Sequence, residues 1–342
     1  MKKILSILLI IILVGTLAAC GGSAPAPAPA APEPAPAAPA AEPAPAAPAE
    51  EQTYKVAFSL PPIRNDFHAR MRVLIDGAIA EVAATNPNFE FVPINAIDEN
   101  DQLNQLEVFA NEGYDLIAIM PSDATLLGPK VAEIYHSGTP VIVINRRVPT
   151  DEYTHFIAGD NMDTGRLGAK YIGEAFPEGA DVIELRMGVG TPIDADRHGG
   201  FMEVIANYPN INILGDVGSA PNREAGLESM ANALQAYPHI DAVFTHDDEM
   251  ALGILTAIEQ AGRTDIKVIA SCGGARAVFE MYAENNPDLI LKGTALYSPM
   301  MGADAVRLAI DVIKGVSHPK DIITPSTFVT AENVQQFMEY AY

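Results

Sequence analysis

Cysteine is almost absent from this protein: Cys20 and Cys272 are the only two among 342 residues. Cys20 ends an N-terminal apolar segment, so no internal disulfide is available to the folded part, and its stability has to come from packing. Basic residues are scarce as well, 21 Lys and Arg against 44 Asp and Glu. The formal charge is −23, and it becomes −25 once Lys2 and Lys3 are lost with the leader. No Lys- or Arg-rich run offsets that field locally, which excludes nucleic acid as a partner. The apolar stretch from Ile4 to Val14 falls short of the roughly 20 residues that a membrane-crossing helix needs. Enzyme signatures are missing too. There is no Gly-x-Ser-x-Gly elbow and no lysine after a Gly-rich phosphate loop, and Gly188-Val189-Gly190 lacks the third glycine of a dinucleotide fingerprint. His246-Asp247-Asp248-Glu249 would hold a metal only if neighbouring residues at a strand end converged, and their side chains point in different directions. Cys272 reads as a small residue in a Cys-Gly-Gly turn, because nothing in the sequence lowers its thiol pKa as a nucleophile requires.

What is present begins with Met1-Lys2-Lys3, a positive stretch ahead of the apolar run, followed by small residues. That is the order of a secretion signal, here residues 1–19. Leu17-Ala18-Ala19-Cys20 resembles the bacterial lipobox, in which the cysteine is acylated and becomes the new N-terminus. The resemblance implies an extracytoplasmic protein held to the cell membrane by lipid on Cys20. Residues 20–52 are almost entirely Ala and Pro, punctuated by Glu33, Glu42, Glu50 and Glu51. Such a segment has no core to bury and favours polyproline II, a semi-rigid tether of about 3 Å per residue.

From Tyr54 onward, short β-branched runs alternate with segments of helical spacing. Strands are expected at 55–60, 89–94, 115–120 and 141–145, with helices near 66–86, 101–112 and 125–137. The rhythm restarts after 155–160, with strands at 182–186, 211–217, 242–246 and 267–271 and helices near 162–175, 196–207, 223–236 and 249–261. Right-handed βαβ crossovers make such sheets parallel and cover them on both faces. One sheet of this width would be unusual, so the α/β protein is expected to form two doubly wound lobes meeting across a cleft. In open parallel sheets the ligand crevice lies at the carboxyl ends of the strands. The suspects are therefore Pro61 to His68, Asn145-Arg146-Arg147, Gly188 to Arg197, His246 to Glu249 and Cys272-Gly273-Gly274. Helix capping accounts for Asp66 and Asp248. It does not account for Arg146 and Arg197, since the start of a helix carries positive dipole charge.

Over 54–342 the sequence resembles the type I periplasmic binding proteins of the ribose and galactose group. The motifs that carry the resemblance are Asp247-Asp248-Glu249-Met250-Ala251-Leu252-Gly253, Ile157-Ala158-Gly159-Asp160-Asn161, Arg197-His198-Gly199-Gly200-Phe201 and Asn145-Arg146. The resemblance implies discontinuous lobes, 54–158 plus 297–324 and 159–296 plus 325–342, joined by three hinge segments, Ala158 to Asp160, Ala295 to Ser298 and Ile323 to Ser326, with Asp160, Ala295 and Pro325 as the hinge residues. It also implies a ligand site made of Asn65, Phe67, His68, Asn145, Arg146, Arg197, Asp247, Cys272 and Tyr297. No catalytic group, metal or cofactor is implied.

Sugar capture explains these residue types. An aromatic ring such as Phe67 stacks on C–H faces, while Arg146, Arg197, Asn65, Asn145 and Asp247 engage hydroxyls. The sequence departs from the family pattern where acids are expected, with Asn145 before the arginine and Gly273 after a core strand. His68 replaces a second aromatic, Pro221 stands where another stacking ring occurs, and Asp247 replaces a frequent Asn. Two arginines thus face one clear carboxylate unless Asp248 or Glu249 supplies the balance. The expected function is capture of a monosaccharide, polyol or related solute by a monomer that delivers it to an ABC permease. A receptor feeding a chemoreceptor or sensor kinase is the alternative, and a hydrolytic or metal-dependent enzyme is the remoter one.

Overall fold

Period-two alternation of apolar side chains sorts each strand onto two faces, and both faces are buried. Val56, Phe58 and Leu60 enter one cluster with Leu116, Ala118 and Ile142, whereas Ala57 joins another with Ile117, Ile119 and Val143. The computed structural model describes residues 52–342. The expected leader, Cys20 and the tether up to residue 51 lie outside the described residues. No described helix is long and apolar enough to cross a membrane.

The first half alternates β1 (Tyr54–Leu60), α1 (Asp66–Ala83), β2 (Phe89–Asn95), α2 (Glu99–Asn111), β3 (Leu116–Ile119), α3 (Ala124–His136), β4 (Val141–Ile144) and β5 (His155–Gly159). The second repeats the pattern with α4 (Asn161–Ala175), β6 (Ala180–Met187), α5 (Pro192–Ile205), β7 (Ile211–Ser219), α6 (Arg223–Ala236), β8 (Ala242–Thr245), α7 (Asp248–Ala261), β9 (Val268–Gly273), α8 (Arg276–Ala283) and β10 (Leu291–Leu296). Last come α9 (Met301–Ile313), β11 (Asp321–Thr324) and β12 (Thr327–Val329).

These strands form two six-stranded sheets, ordered β11-β5-β4-β3-β1-β2 and β12-β10-β9-β8-β6-β7. All neighbours run parallel except β12 against β10. Setting the two edge strands aside, each sheet has the doubly wound order 2-1-3-4-5, which reverses direction beside its first strand and opens a crevice at the carboxyl ends there. The second sheet is likewise buried on both faces, Ile183, Leu185 and Val243 on one side and Val182, Ala242 and Phe244 on the other.

Three segments cross between the sheets. The first is Asp160, whose amide donates to Thr324 O at 3.0 Å and whose carbonyl accepts from Ser326 Oγ at 3.2 Å. The last is Pro325-Ser326, between β11 and β12. The middle one falls inside the expected segment 295–298 but does not include Ala295 itself. Ala295 is fully buried inside β10 and paired on both sides, with Cys272 and Phe328, so the crossing begins only after Leu296. Beyond it α9 returns to the first lobe, where Met301, Val306 and Ala309 join Met71 and Ile75 of α1 in one cluster.

Candidate functional site

Loops from the carboxyl ends of both sheets line a cleft that encloses about 720 Å³ of empty space, open solvent at its mouth included. On the first lobe, Asn65 caps α1, its Oδ1 accepting from the His68 amide at 2.9 Å. The cap is therefore Asn65 and not Asp66, and the turn it fixes places Phe67 and His68 on the cleft wall. His68 Nδ1 lies 3.1 Å from Pro62 O, so the ring donates there and keeps Nε2 as an acceptor. Burial, reinforced by the nearby charge of Arg146, lowers its pKa to about 4, so the imidazole is neutral.

After β4, Asn145 adopts a left-handed backbone with φ of 65°. Asparagine tolerates this conformation better than most other non-glycine residues. Beyond this turn the two arginines part. Arg146 lines the cleft, with Nη1 donating to Pro121 O at 3.0 Å and Ser122 O at 2.6 Å, while burial weighs against its charge. Arg147 pairs with Asp321 at 3.2 and 3.0 Å and lies 4.0 Å over the Phe156 ring.

On the second lobe, the placement of Arg197 depends on two glycines. A Cβ on Gly165 would stand 2.0 Å from Arg197 O, and one on Gly200 would stand 2.0 Å from Met162 O, so α4 and α5 touch backbone to backbone. That approach sets Arg197 Nε 3.0 Å from Asn161 Oδ1, Nη1 against His246 O, and the guanidinium 5.2 Å from the Tyr297 ring centre. Arg197 is 5% exposed. It sits in the second turn of α5 rather than near a helix start, because the helix begins at Pro192 after the Thr191 cap.

The four residues of the His-Asp-Asp-Glu run diverge. His246 is buried with Nε2 2.8 Å from Glu184, and Asp247 caps α7 by accepting from the amides of Glu249 and Met250 at 2.9 and 3.4 Å. Asp248, expected as the cap, instead turns into the core. It accepts from Ser271 and Thr294 hydroxyls at 2.6 and 2.7 Å and from the amides of Gly274 and Ala275 at 2.7 and 2.8 Å. Glu249 pairs with Arg223 at 3.2 Å. Of the four, Asp247 and Glu249 line the cleft. Burial, then the charge of Asp248, raises the Asp247 pKa to about 7, with Arg197 opposing.

Tyr297, on the middle crossing, donates its hydroxyl to Asn145 Oδ1 at 2.7 Å, and burial pushes its pKa up to about 12. Cys272 departs from its expected place. It is fully buried in the second lobe's core, away from the cleft lining, and burial raises the thiol to about 12. Neither a ligand nor a nucleophilic role is open to a thiol so placed.

The sequence reading missed Tyr342, Met187 and Ile193, which also line the cleft. Tyr342 is anchored by its amide to Gly274 O at 3.0 Å and by its carbonyl to the Arg276 amide at 2.6 Å. A Cβ on Gly274, whose φ is 143°, would lie 3.1 Å from Tyr342 Cε1, so the glycine clears space for the ring. Locally the sequence hints at this contact only through the Gly273-Gly274 pair at the end of β9. The resulting aromatic wall joins Phe67, Tyr297 and Tyr342, with ring centres 5.9 and 5.3 Å from that of Phe67.

Comparison with known proteins agrees with this architecture. Residues 56–317 match the model of the periplasmic binding protein domain. The protein is 30% identical over 269 residues to the ribose import binding protein of Escherichia coli, covering 76% of its own length and 85% of that relative. It is 26% identical over 248 residues to the xylitol-binding protein of Mycolicibacterium smegmatis, covering 71% and 69%. An ABC transporter solute binding protein from Bacillus halodurans, solved with bound myo-inositol, matches with a TM-score of 0.73 at 25% identity, covering 84% of the present sequence and 98% of that structure. With two doubly wound lobes, a cleft at their strand ends and a family match across most of its length, the protein belongs to the type I periplasmic binding proteins, the sugar-binding proteins of ABC transporters.

Proposed function

We propose that this protein captures a monosaccharide, polyol or related polyhydroxylated molecule between its lobes and delivers it to an ABC permease. The observation that carries the reading is the make-up of the cleft wall. An aromatic face of Phe67, Tyr297 and Tyr342 stands with Arg146 from one lobe and Arg197 from the other. The C–H surfaces of a sugar ring or an open polyol suit the first, and the oxygens of a polyhydroxylated solute suit the second. The names of the relatives, which include ribose, xylitol and myo-inositol, support this class of ligand. Asn65, Asn145, His68 and Asp247 belong to the same proposed site, each placed on the cleft wall by a strand end or a helix cap.

A thermal-shift screen of sugars, polyols and sugar acids tests the reading. A true ligand at about 100 times its Kd adds roughly 2.7 kcal/mol to stability, a readily measured rise in Tm. A flat response across the panel overturns it.

The extracytoplasmic location and the lipid anchor on Cys20 rest on the N-terminal sequence. Cys20→Ser should move the protein from the detergent phase to the aqueous phase. Equal partitioning of mutant and wild type would refute the anchor.

A further inference from the structure

A hydroxyl both donates and accepts, so a site built for neutral sugars offers acceptors as well as donors. In this cleft the acceptors are largely consumed within the protein. Asn65 Oδ1 takes the His68 amide, Asn145 Oδ1 takes the Tyr297 hydroxyl, and Asn161 Oδ1 takes Arg197 Nε. Asp247 Oδ1 takes two amides of α7. Asp247 Oδ2 and His68 Nε2 remain within the cleft, and at its exposed rim the Asp66 carboxylate and Glu249 Oε1. The donors are left over: Nε and Nη2 of Arg146, Nη2 of Arg197 and Nδ2 of Asn145 have no protein acceptor among the described residues.

The charges lean the same way. Among the described residues no carboxylate comes within 4.0 Å of either guanidinium, although Arg197 is buried and Arg146 is half-buried. The acids whose charges reach them, Asp123 toward Arg146 and Asp247 and Asp196 toward Arg197, act beyond ion-pair distance, and the others nearby do not pair with them. Asp248 is in the core on four donors, Glu249 is on Arg223, and Asp66 is exposed at the rim. A buried cation without a partner is costly, and a guanidinium is shaped to hold two oxygens of one carboxylate.

We infer that the ligand carries a carboxylate, as an aldonic or uronic acid does, and that Arg146 and Arg197 grip it from opposite lobes. This rests on the cleft being the ligand site proposed above. The Asp247 carboxyl, whose pKa burial raises to about 7, is only partly ionised near neutral pH and so offsets the two guanidinium charges incompletely.

Calorimetry on matched pairs decides the matter: D-galactose with D-galacturonate, D-glucose with D-gluconate, and D-ribose with D-ribonate. The acid should bind at least tenfold tighter in some pair, and Arg146→Gln should shrink that ratio several-fold. Neutral partners that bind as well as or better than their acids in every pair overturn this inference and leave the sugar-binding reading standing. An acid preference that Arg146→Gln leaves unchanged overturns the assignment of the carboxylate to these arginines. No binding by any member of the three pairs overturns this inference, and the sugar-binding reading falls with it only if the wider thermal-shift panel is flat as well. The wild-type comparison needs no variant, so a misfolded Arg146→Gln does not blunt the test.

Discussion

The ring of Tyr342 meets the ring of Phe67 edge-on, with centres 5.3 Å apart and planes at 81°, although opposite lobes carry them. Phe67 is fixed by the first turn of α1, whereas Tyr342 is pinned to the turn after β9. The contact bridges the two lobes and extends the aromatic wall from one to the other.

Tyr342→Ala should therefore weaken ligand binding by about 1 kcal/mol, roughly fivefold in Kd, and Tyr342→Phe should retain most of the affinity. Calorimetry with the tightest compound from the thermal-shift screen checks this. Full affinity in the alanine variant would show that the ring serves only packing.

Arg197→Ala should cost about 2 kcal/mol or more of binding through lost charge-assisted hydrogen bonds. Arg147→Ala, which removes the pair with Asp321, should leave Kd unchanged and reduce stability by less than about 1 kcal/mol. Comparable losses of affinity in both variants would contradict the divergence of side chains after Asn145.

The pH dependence of stability should show two opposed contributions from the cleft. Asp247 has a folded pKa of about 7 against its ordinary 3.8, so the folded state holds the extra proton, and the stability this lends is lost as pH rises through about 7. His68 is lowered from 6.5 to about 4, so its contribution is present above 6.5 and lost as pH falls through about 4. Between about pH 4 and 6.5 the two slopes oppose each other. Relative to wild type, Asp247→Asn should make stability climb more steeply with pH in that window, and His68→Gln should make it fall. Urea denaturation at several pH values reads both slopes, and parallel profiles for all three proteins would rule the scheme out.

Asp160, the segment after Leu296, and Pro325 are the covalent links between the sheets, and the cleft draws residues from both. Ligand should shift the population toward a closed form to the extent that it binds that form better. Small-angle scattering should show a smaller radius of gyration at saturation. An unchanged value would count against hinge closure.

The sequence by itself determined the two-lobed α/β fold. A β-strand repeats every two residues and a helix every 3.6, so runs such as Val141 to Ile144, and the helical segments between them, declare themselves from near neighbours in sequence. It also directed attention to the strand ends, because open parallel sheets place their crevice there whatever the side chains are. Periodicity does not delimit the elements after Ser271, and it starts α5 four residues late, because the true start is marked by the Thr191 cap and Pro192 rather than by apolar spacing.

Tertiary structure alone decided which polar side chains reach the cleft. Asp247 and Asp248 are adjacent and chemically alike, yet one caps a helix at the cleft wall. The other is drawn inward by two hydroxyls and two amides from β9, β10 and the turn after β9. Cys272 sits one residue from a strand end, and the sheet's alternation turns it into the core. Tyr342 packs against Gly274, far off in sequence, where a Cβ would crowd both its ring and Leu296. Local periodicity is set by residues a few positions apart. The direction of a buried side chain depends on partners dozens of residues away, and in a single sequence nothing marks those partners as neighbours.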